Sequence, residues 1–292
     1  MDKYDVAVIG SGPAGISAAI NLKIRNKSLV LFGEETLSDK VRRSELISNY
    51  PAVKAVTGTE LNGLLKSQLD DMGIGVTCKR ITGIYNMGKY FALLSDQEEF
   101  DAKAVIMATG VEAVKPVPGE REFLGKGVSY CATCDGNLYK GRTIAVVCDN
   151  KAMEDEADYL AELAGKVYYL PLFEDSTFNS PNTERLTEKI TEISGGDRVS
   201  GISLRDGSRL DIDGIFFLKQ SVSPAVLLRG VSIEGSHVAV NRMMETNIRG
   251  CFAAGDCTGA PYQIAKAVGE GNIAAHSAIK YLAELTQKSN DK

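Results

Sequence analysis

Gly10-Ser11-Gly12-Pro13-Ala14-Gly15 is the stretch that decides the fold of this chain. A short apolar run, Val6 to Ile9, precedes it, and Ile16 to Ile24 follows with helical character. Ser28 to Phe32 is then a second apolar run of strand length. Glycines at this spacing, between a strand and a helix, make a dinucleotide-binding turn. The first permits the tight turn, the second leaves room for a pyrophosphate, and the third lets helix and strand pack closely. The helix start adds unpaired N–H groups and the positive end of its dipole. Glycine turns of this shape also occur for purely structural reasons, and two later segments bear on which reading holds.

Ala104-Val105-Ile106-Met107-Ala108-Thr109-Gly110 is an apolar strand ending in a small-residue turn. Cys251-Phe252-Ala253-Ala254 is another, followed by Gly255-Asp256 and an alanine-rich helix from about Gln263 to Leu285. Between them lies a second strand–helix–strand pattern: Thr143 to Val147, Met153 to Leu163, Val167 to Leu170. Asp206-Gly207, between Ile202-Ser203-Leu204 and Leu210-Asp211-Ile212, reads as a hairpin turn. Residues 111–120, with Pro116, Pro118 and Gly119, read as a linker, and around Val240 to Asn247 the chain leaves the second lobe. The expected fold is α/β, with two Rossmann-like domains and the second inserted into the first. Residues 1–115 and 241–292 form the discontinuous first domain, and residues 116–240 the second.

Composition limits the functions open to such a chain. Its 292 residues suffice for two medium domains with proper cores. A net charge of −5 and the lack of a long basic block argue against nucleic acid. No apolar stretch approaches a membrane span. The N-terminus enters a strand almost at once, leaving no room for a signal peptide, so a cytoplasmic location is expected. Structural disulfides are rare there, and the 6 cysteines need individual readings.

Cys131 and Cys134 stand in Tyr130-Cys131-Ala132-Thr133-Cys134-Asp135-Gly136. Two thiols at this spacing can close a short redox disulfide, with the Asp135 carboxyl beside them to manage protons. The same spacing serves half of a zinc or iron–sulfur site. A zinc site needs two more ligands, for which only His237, His276 and scattered cysteines are available, so no metal is expected. The histidines show no partner pattern. Cys78 and Cys148 read as small buried residues. Cys251 and Cys257 flank Asp256 and read as core thiols, a second redox pair being the alternative.

The Ala108-Thr109-Gly110 and Ala253-Ala254-Gly255-Asp256 strand ends, in this order, resemble those of two-dinucleotide flavoprotein reductases. The resemblance implies FAD, with Asp256 hydrogen-bonding the ribitol and the helix start near Gln263 and Ile264 beside the flavin pyrimidine ring. A helix N-terminus there favours the negative charge of a reduced flavin. In the plainer reading Asp256 simply caps a helix. The Tyr130 to Gly136 run closely resembles the active site of low-molecular-weight thioredoxin reductases, and the match extends over nearly the whole chain. By that resemblance Cys134 faces the flavin, Cys131 attacks the disulfide of a protein substrate, and Asp135 shuttles the proton. Asn49, before Tyr50-Pro51, is implied as an FAD contact. A homodimer built through the FAD domain is implied as well.

Three departures from that family stand out. Where a second glycine-rich turn should bind the NADPH pyrophosphate, the chain reads Ala145-Val146-Val147-Cys148-Asp149-Asn150-Lys151-Ala152-Met153, without a glycine. Where basic residues should meet the 2′-phosphate, it reads Leu170-Pro171-Leu172-Phe173-Glu174-Asp175. The flavin-side glycine turn is replaced by Leu37-Ser38-Asp39-Lys40-Val41-Arg42-Arg43. Lys40, Arg42 and Arg43 are expected in a solvated loop, an acidic protein partner being the other reading. The resemblance is therefore closest to ferredoxin-dependent flavin thioredoxin reductases, which lack the NADPH motifs. It implies ferredoxin as electron donor and thioredoxin as acceptor. The alternatives are an NADPH or NADH enzyme with an altered pocket, and a flavin redox sensor without turnover.

Overall fold

The computed structural model describes residues 3–95, 98–110, 117–120, 122–219 and 224–290. Most of the linker expected over 111–120 thus lies outside the described residues. The chain folds as two units, Met1–Val111 with Ser223–Lys292, and Glu112–Val222.

Unit 1 begins with β1 (Lys3–Ile9), α1 (Pro13–Ile24), β2 (Leu29–Phe32), α2 (Asp39–Arg42), α3 (Gly58–Asp71) and β3 (Val76–Thr77). β4 (Gly83–Asn86), β5 (Phe91–Ser95) and β6 (Glu98–Met107) follow. The strand order is β3-β2-β1-β6-β5-β4, parallel from β3 to β6 and antiparallel beyond. Val6, Ala7 and Val8 are all fully buried, as expected of a central parallel strand covered on both faces.

Unit 2 holds β7 (Val128–Ser129), α4 (Ala132–Asp135), β8 (Thr143–Cys148), α5 (Glu154–Leu163), β9 (Lys166–Pro171) and β10 (Thr183–Arg185). β11 (Ile190–Gly195), β12 (Val199–Leu204), β13 (Arg209–Asp211) and β14 (Gly214–Leu218) complete it. β10-β9-β8-β14-β7 is an all-parallel sheet, and β11-β12-β13 an antiparallel one. The Asp206-Gly207 turn joins β12 to β13, with Gly207 at φ +88° as a tight hairpin demands.

The chain belongs to unit 1 again from α6 (Pro224–Leu227), well before residue 241, where the sequence pattern placed the return. The reason is local packing: Leu228 is buried and bridges Ile84 of β4. α6, β15 (Ile233–Glu234) and β16 (His237–Val238) are too short to show a period in sequence. β17 (Cys251–Ala253) then adds in parallel to β6, and α7 (Ile264–Asn290) packs on α1. Small residues permit that approach. A Cβ on Gly271 would stand 2.1 Å from the Ala14 carbonyl oxygen, and the Ser17 hydroxyl donates to the Val268 carbonyl at 2.7 Å.

Candidate active site

The glycine turn has the geometry a dinucleotide needs. Gly10 sits at φ +116°, and a Cβ there would lie 2.2 Å from the Ala108 oxygen. A Cβ on Gly15 would lie 1.8 Å from the Gly10 oxygen, so both positions accept only glycine. Gly12 differs. It is the N-cap of α1, without a side-chain cap, and a Cβ there would meet nothing within 4 Å. Pro13 follows at the helix start, and the first-turn N–H groups of Ala14 and Gly15 have no partner within the helix. An uncapped helix end over open space fits a pyrophosphate.

The buried Ser11 ties the turn to β2. Its hydroxyl accepts from the Glu34 N–H at 3.0 Å and donates to the Glu34 carbonyl at 3.2 Å. Glu34, exposed just beyond β2, occupies the place where dinucleotide folds set an acid on a ribose hydroxyl. Sequence reasoning passed over it, although its spacing after the glycines was a usable signal. Ala108, Thr109 and Gly110 follow β6, and the Ala254 N–H donates to the Met107 carbonyl at 2.9 Å. The expected segments therefore converge at the carboxyl ends of β1, β6 and β17, where open α/β sheets bind ligands.

Asp256 stands on a turn fastened from α7. Glu270 accepts from the Gly255 N–H at 2.9 Å, and Lys266 donates to the Gly255 and Gly259 carbonyls at 2.7 and 2.6 Å. Neither Lys266 nor Glu270 was legible as a site residue, because their partners are one another, the Thr258 hydroxyl and backbone atoms of a turn. Asp256 also receives the Lys40 ammonium at 2.5 Å, and that ammonium lies 5.0 Å from the Tyr262 ring centroid. Asn49 donates to Gln263 at 2.8 Å, immediately before Ile264 opens α7. Asn49, Asp256, Gln263 and Ile264 are thus linked through α2, the turn and the start of α7.

The 37–43 segment is more than the solvated loop expected. Residues 39–42 are helical, Ser38 caps them, and Leu37 and Val41 are buried. Arg42 and Arg43 both pair with Asp39, at 2.9 and 3.4 Å, so part of their charge is met within the segment. His237, for which no partner was expected, lies 2.7 Å from the Tyr262 hydroxyl.

In unit 2, Cys131 and Cys134 are joined as a disulfide, with their Cα atoms 5.4 Å apart. Cys131 is the N-cap of α4, and its sulfur accepts the Cys134 N–H at 3.2 Å. Ser129, at the end of β7, organises the loop. Its hydroxyl accepts from the Cys131 N–H at 3.1 Å and donates to the Asp135 carboxylate at 2.6 Å. Ser129 was not singled out from sequence, since a lone serine two residues before a cysteine carries no pattern. Cys131 is buried and Cys134 is exposed.

The start of α5, where a second phosphate site would lie, is acidic. Glu154 opens α5 and is buried. Its carboxylate accepts from the Ser176 hydroxyl at 2.6 Å, the Tyr169 hydroxyl at 3.2 Å, and the Thr177 and Phe178 N–H groups at 3.1 and 3.2 Å. Burial alone would raise this carboxyl, but these hydrogen bonds outweigh it and hold the group below its ordinary range. Asp155 and Glu156 add two more acids in the same first turn. A helix start that could greet a pyrophosphate instead holds three carboxylates.

The remaining thiols are mostly inert. Burial pushes Cys251 up to about 12, and Cys257 and Cys148 to about 11, so the first two are core thiols rather than a redox pair. Cys78, expected in the core, is exposed, because it follows the two-residue edge strand β3. Among the described residues no His, Cys, Asp or Glu side chains gather as a metal site would require, and no helix is long and apolar enough to cross a membrane.

This geometry agrees with what known proteins show. The family model for pyridine nucleotide-disulphide oxidoreductases matches residues 4–148 and 183–271. The chain belongs to that family of oxidoreductases, and within it to the homologues of thioredoxin reductase. The thioredoxin reductase of Helicobacter pylori is 34% identical over 95% of this chain and 98% of its own length. That of Bacillus subtilis is 31% identical over 97% of this chain and 96% of its own. A ferredoxin-flavin thioredoxin reductase from Clostridium acetobutylicum matches with a TM-score of 0.89 at 47% identity, covering 98% of this chain and 100% of that one. Thioredoxin reductase homologues in this family are FAD-binding flavoproteins, and the glycine turn and the Asp256 turn fit that cofactor.

Proposed function

We propose that this protein is a thioredoxin reductase that takes its electrons from reduced ferredoxin, through FAD, rather than from a nicotinamide. The observation that carries the reading is Glu154. The helix start that should meet a dinucleotide pyrophosphate carries three acids, with Glu154 buried and tied to residues 176–178, while the Cys131–Cys134 disulfide is intact. The similarity to the Clostridium acetobutylicum protein supports it.

Residues Gly10 to Gly15, Asn49, Ala108 to Gly110, Gly255, Asp256, Gln263 and Ile264 would hold FAD. Bound FAD supplies the means to collect single electrons and deliver a pair. Cys134 takes that pair as the S–S bond breaks, and Cys131 leaves as a thiolate. Asp135, held by Ser129, manages the proton on the thiol pair. Cys131 then attacks the thioredoxin disulfide, and Cys134 resolves the mixed disulfide, returning the S–S bond and releasing a dithiol product. Cys131 is the more buried residue of the pair in this state, so the cycle calls for a change that uncovers it. The same reading makes Met1–Val111 with Ser223–Lys292 the FAD unit and Glu112–Val222 the dithiol unit. It places the protein in the cytoplasm, as a homodimer.

The test is anaerobic reduction of the FAD-loaded protein, followed by flavin absorbance, with reduced ferredoxin, NADPH and NADH in parallel. Bleaching by ferredoxin, and then thioredoxin reduction, is expected. Rapid bleaching by either nucleotide would establish an altered nicotinamide pocket instead. Bleaching without thioredoxin reduction would establish a redox sensor.

A further inference from the structure

Unit 2 contains a fully buried ion pair that the proposed chemistry does not use. Glu120 is 0% exposed and Lys219 is 2% exposed, and the ammonium lies 2.7 Å from the carboxylate. The same carboxylate oxygen accepts the Tyr130 hydroxyl, and the other accepts the Val117 N–H at 2.8 Å. Aromatic faces enclose the cation, with the Phe217 and Tyr130 ring centroids 4.7 and 5.6 Å away. Those two rings also pack on each other at 5.8 Å.

Such a pair is a poor device for stability alone. Two charges removed from water are offset only in part by their attraction, and apolar residues of like volume often serve as well or better. Its position suggests another use. Glu120 follows the entry of the chain into unit 2, and Lys219 follows β14 near the exit. Tyr130 lies between β7 and Cys131, one residue from the disulfide. Three separate stretches of chain therefore meet at one carboxylate, and one of them is the backbone that leads into the CxxC turn.

We infer that Glu120 and Lys219 are positioning residues for the redox pair: through the Tyr130 hydroxyl they fix the chain entering Cys131 and hold the two sulfurs together. This rests on reading Cys131–Cys134 as the redox couple. Disulfide stability depends on how well the fold presents one thiol to the other. Loosening the entry to the turn lowers that effective concentration and favours the dithiol.

The experiment equilibrates the FAD-loaded protein with graded thiol–disulfide buffers and counts Cys131 and Cys134 thiols by alkylation and mass spectrometry. Wild type must first show a reversible two-electron couple at these cysteines. If it does not, the redox reading itself fails, separately from this inference. Tyr130→Phe removes the link while leaving the ion pair intact, so folding is preserved, and Lys219→Met breaks the pair. Each is expected to shift the equilibrium towards dithiol at least fivefold, about 20 mV less negative for two electrons. Lys219→Arg, which keeps the charge, should lie between wild type and Lys219→Met. Tyr169→Phe, a buried tyrosine bonded to Glu154 elsewhere in the unit, should leave the constant unchanged. A shift under twofold in Tyr130→Phe, or an equal shift in Tyr169→Phe, would overturn the inference.

Discussion

Replacing Glu154 by glutamine removes one charge and changes one oxygen to an amide. In the native protein the ionised group accepts from Ser176, Tyr169, Thr177 and Phe178. A hydrogen bond to a charged acceptor is worth about 1.5–3 kcal/mol, against about 0.5–1.5 for a neutral one, so each loses roughly 1 kcal/mol. The bonds share a single charge and do not add in full, which leaves a cost of about 2 kcal/mol. The carboxyl is held below its ordinary value in the fold, so its stabilising effect is complete above about pH 4.5. It is lost as the pH falls through the lowered folded-state value. Urea unfolding, with hydrogen exchange at the Thr177 and Phe178 amides, should show the gap of about 2 kcal/mol at pH 7 and its closure in acid. A gap that stays constant down to about pH 3 would refute the view that the ionised carboxylate holds this loop.

Three further outcomes follow from the geometry. Gly12→Ala should fold but bind FAD at least tenfold more weakly in a fluorescence titration, because nothing but ligand space surrounds its Cβ; Gly15→Ala should yield little folded protein. With the native oxidised protein at pH 8, an aromatic disulfide reagent should label Cys78 at once and leave Cys148, Cys251 and Cys257 until urea is added. Ser129→Ala should lower thioredoxin turnover about tenfold without altering flavin absorbance, since it releases Asp135 and the Cys131 N–H but lies outside the FAD unit.

The parts of the molecule that repeat a short physical rule were legible in the sequence. Gly10 and Gly15 announce themselves because backbone oxygens occupy the space of their missing side chains. β8, α5 and β9 form where the apolar pattern placed a second strand–helix–strand unit. The loss of glycine between Cys148 and Met153 was visible, but the bonding of Glu154 to residues 176–178 was not. Glu154 reaches its partners across 15 to 24 residues of chain, and an acid at a helix start is too common to signal that. Glu120 and Lys219, 99 residues apart, were hidden for the same reason. The return to unit 1 was misplaced because α6, β15 and β16 are each too short to carry a period.

The seam between α1 and α7 also bears on how the protein is made. Ser17, near the beginning of the chain, finds its carbonyl acceptor 251 residues later, and Ala14 packs against glycines in the last two segments of the fold. Every strand of unit 2 leaves the ribosome before β17 and α7 are synthesised. The nascent glycine turn therefore spends nearly the whole of translation without the helix that closes over it. Any release of the chain before β17 yields a dithiol-bearing unit attached to a sheet that lacks its final strand and a glycine turn that lacks the segment around Asp256. A C-terminal truncation consequently strips the packing from the glycine turn at the other end of the chain, and not the last residues alone.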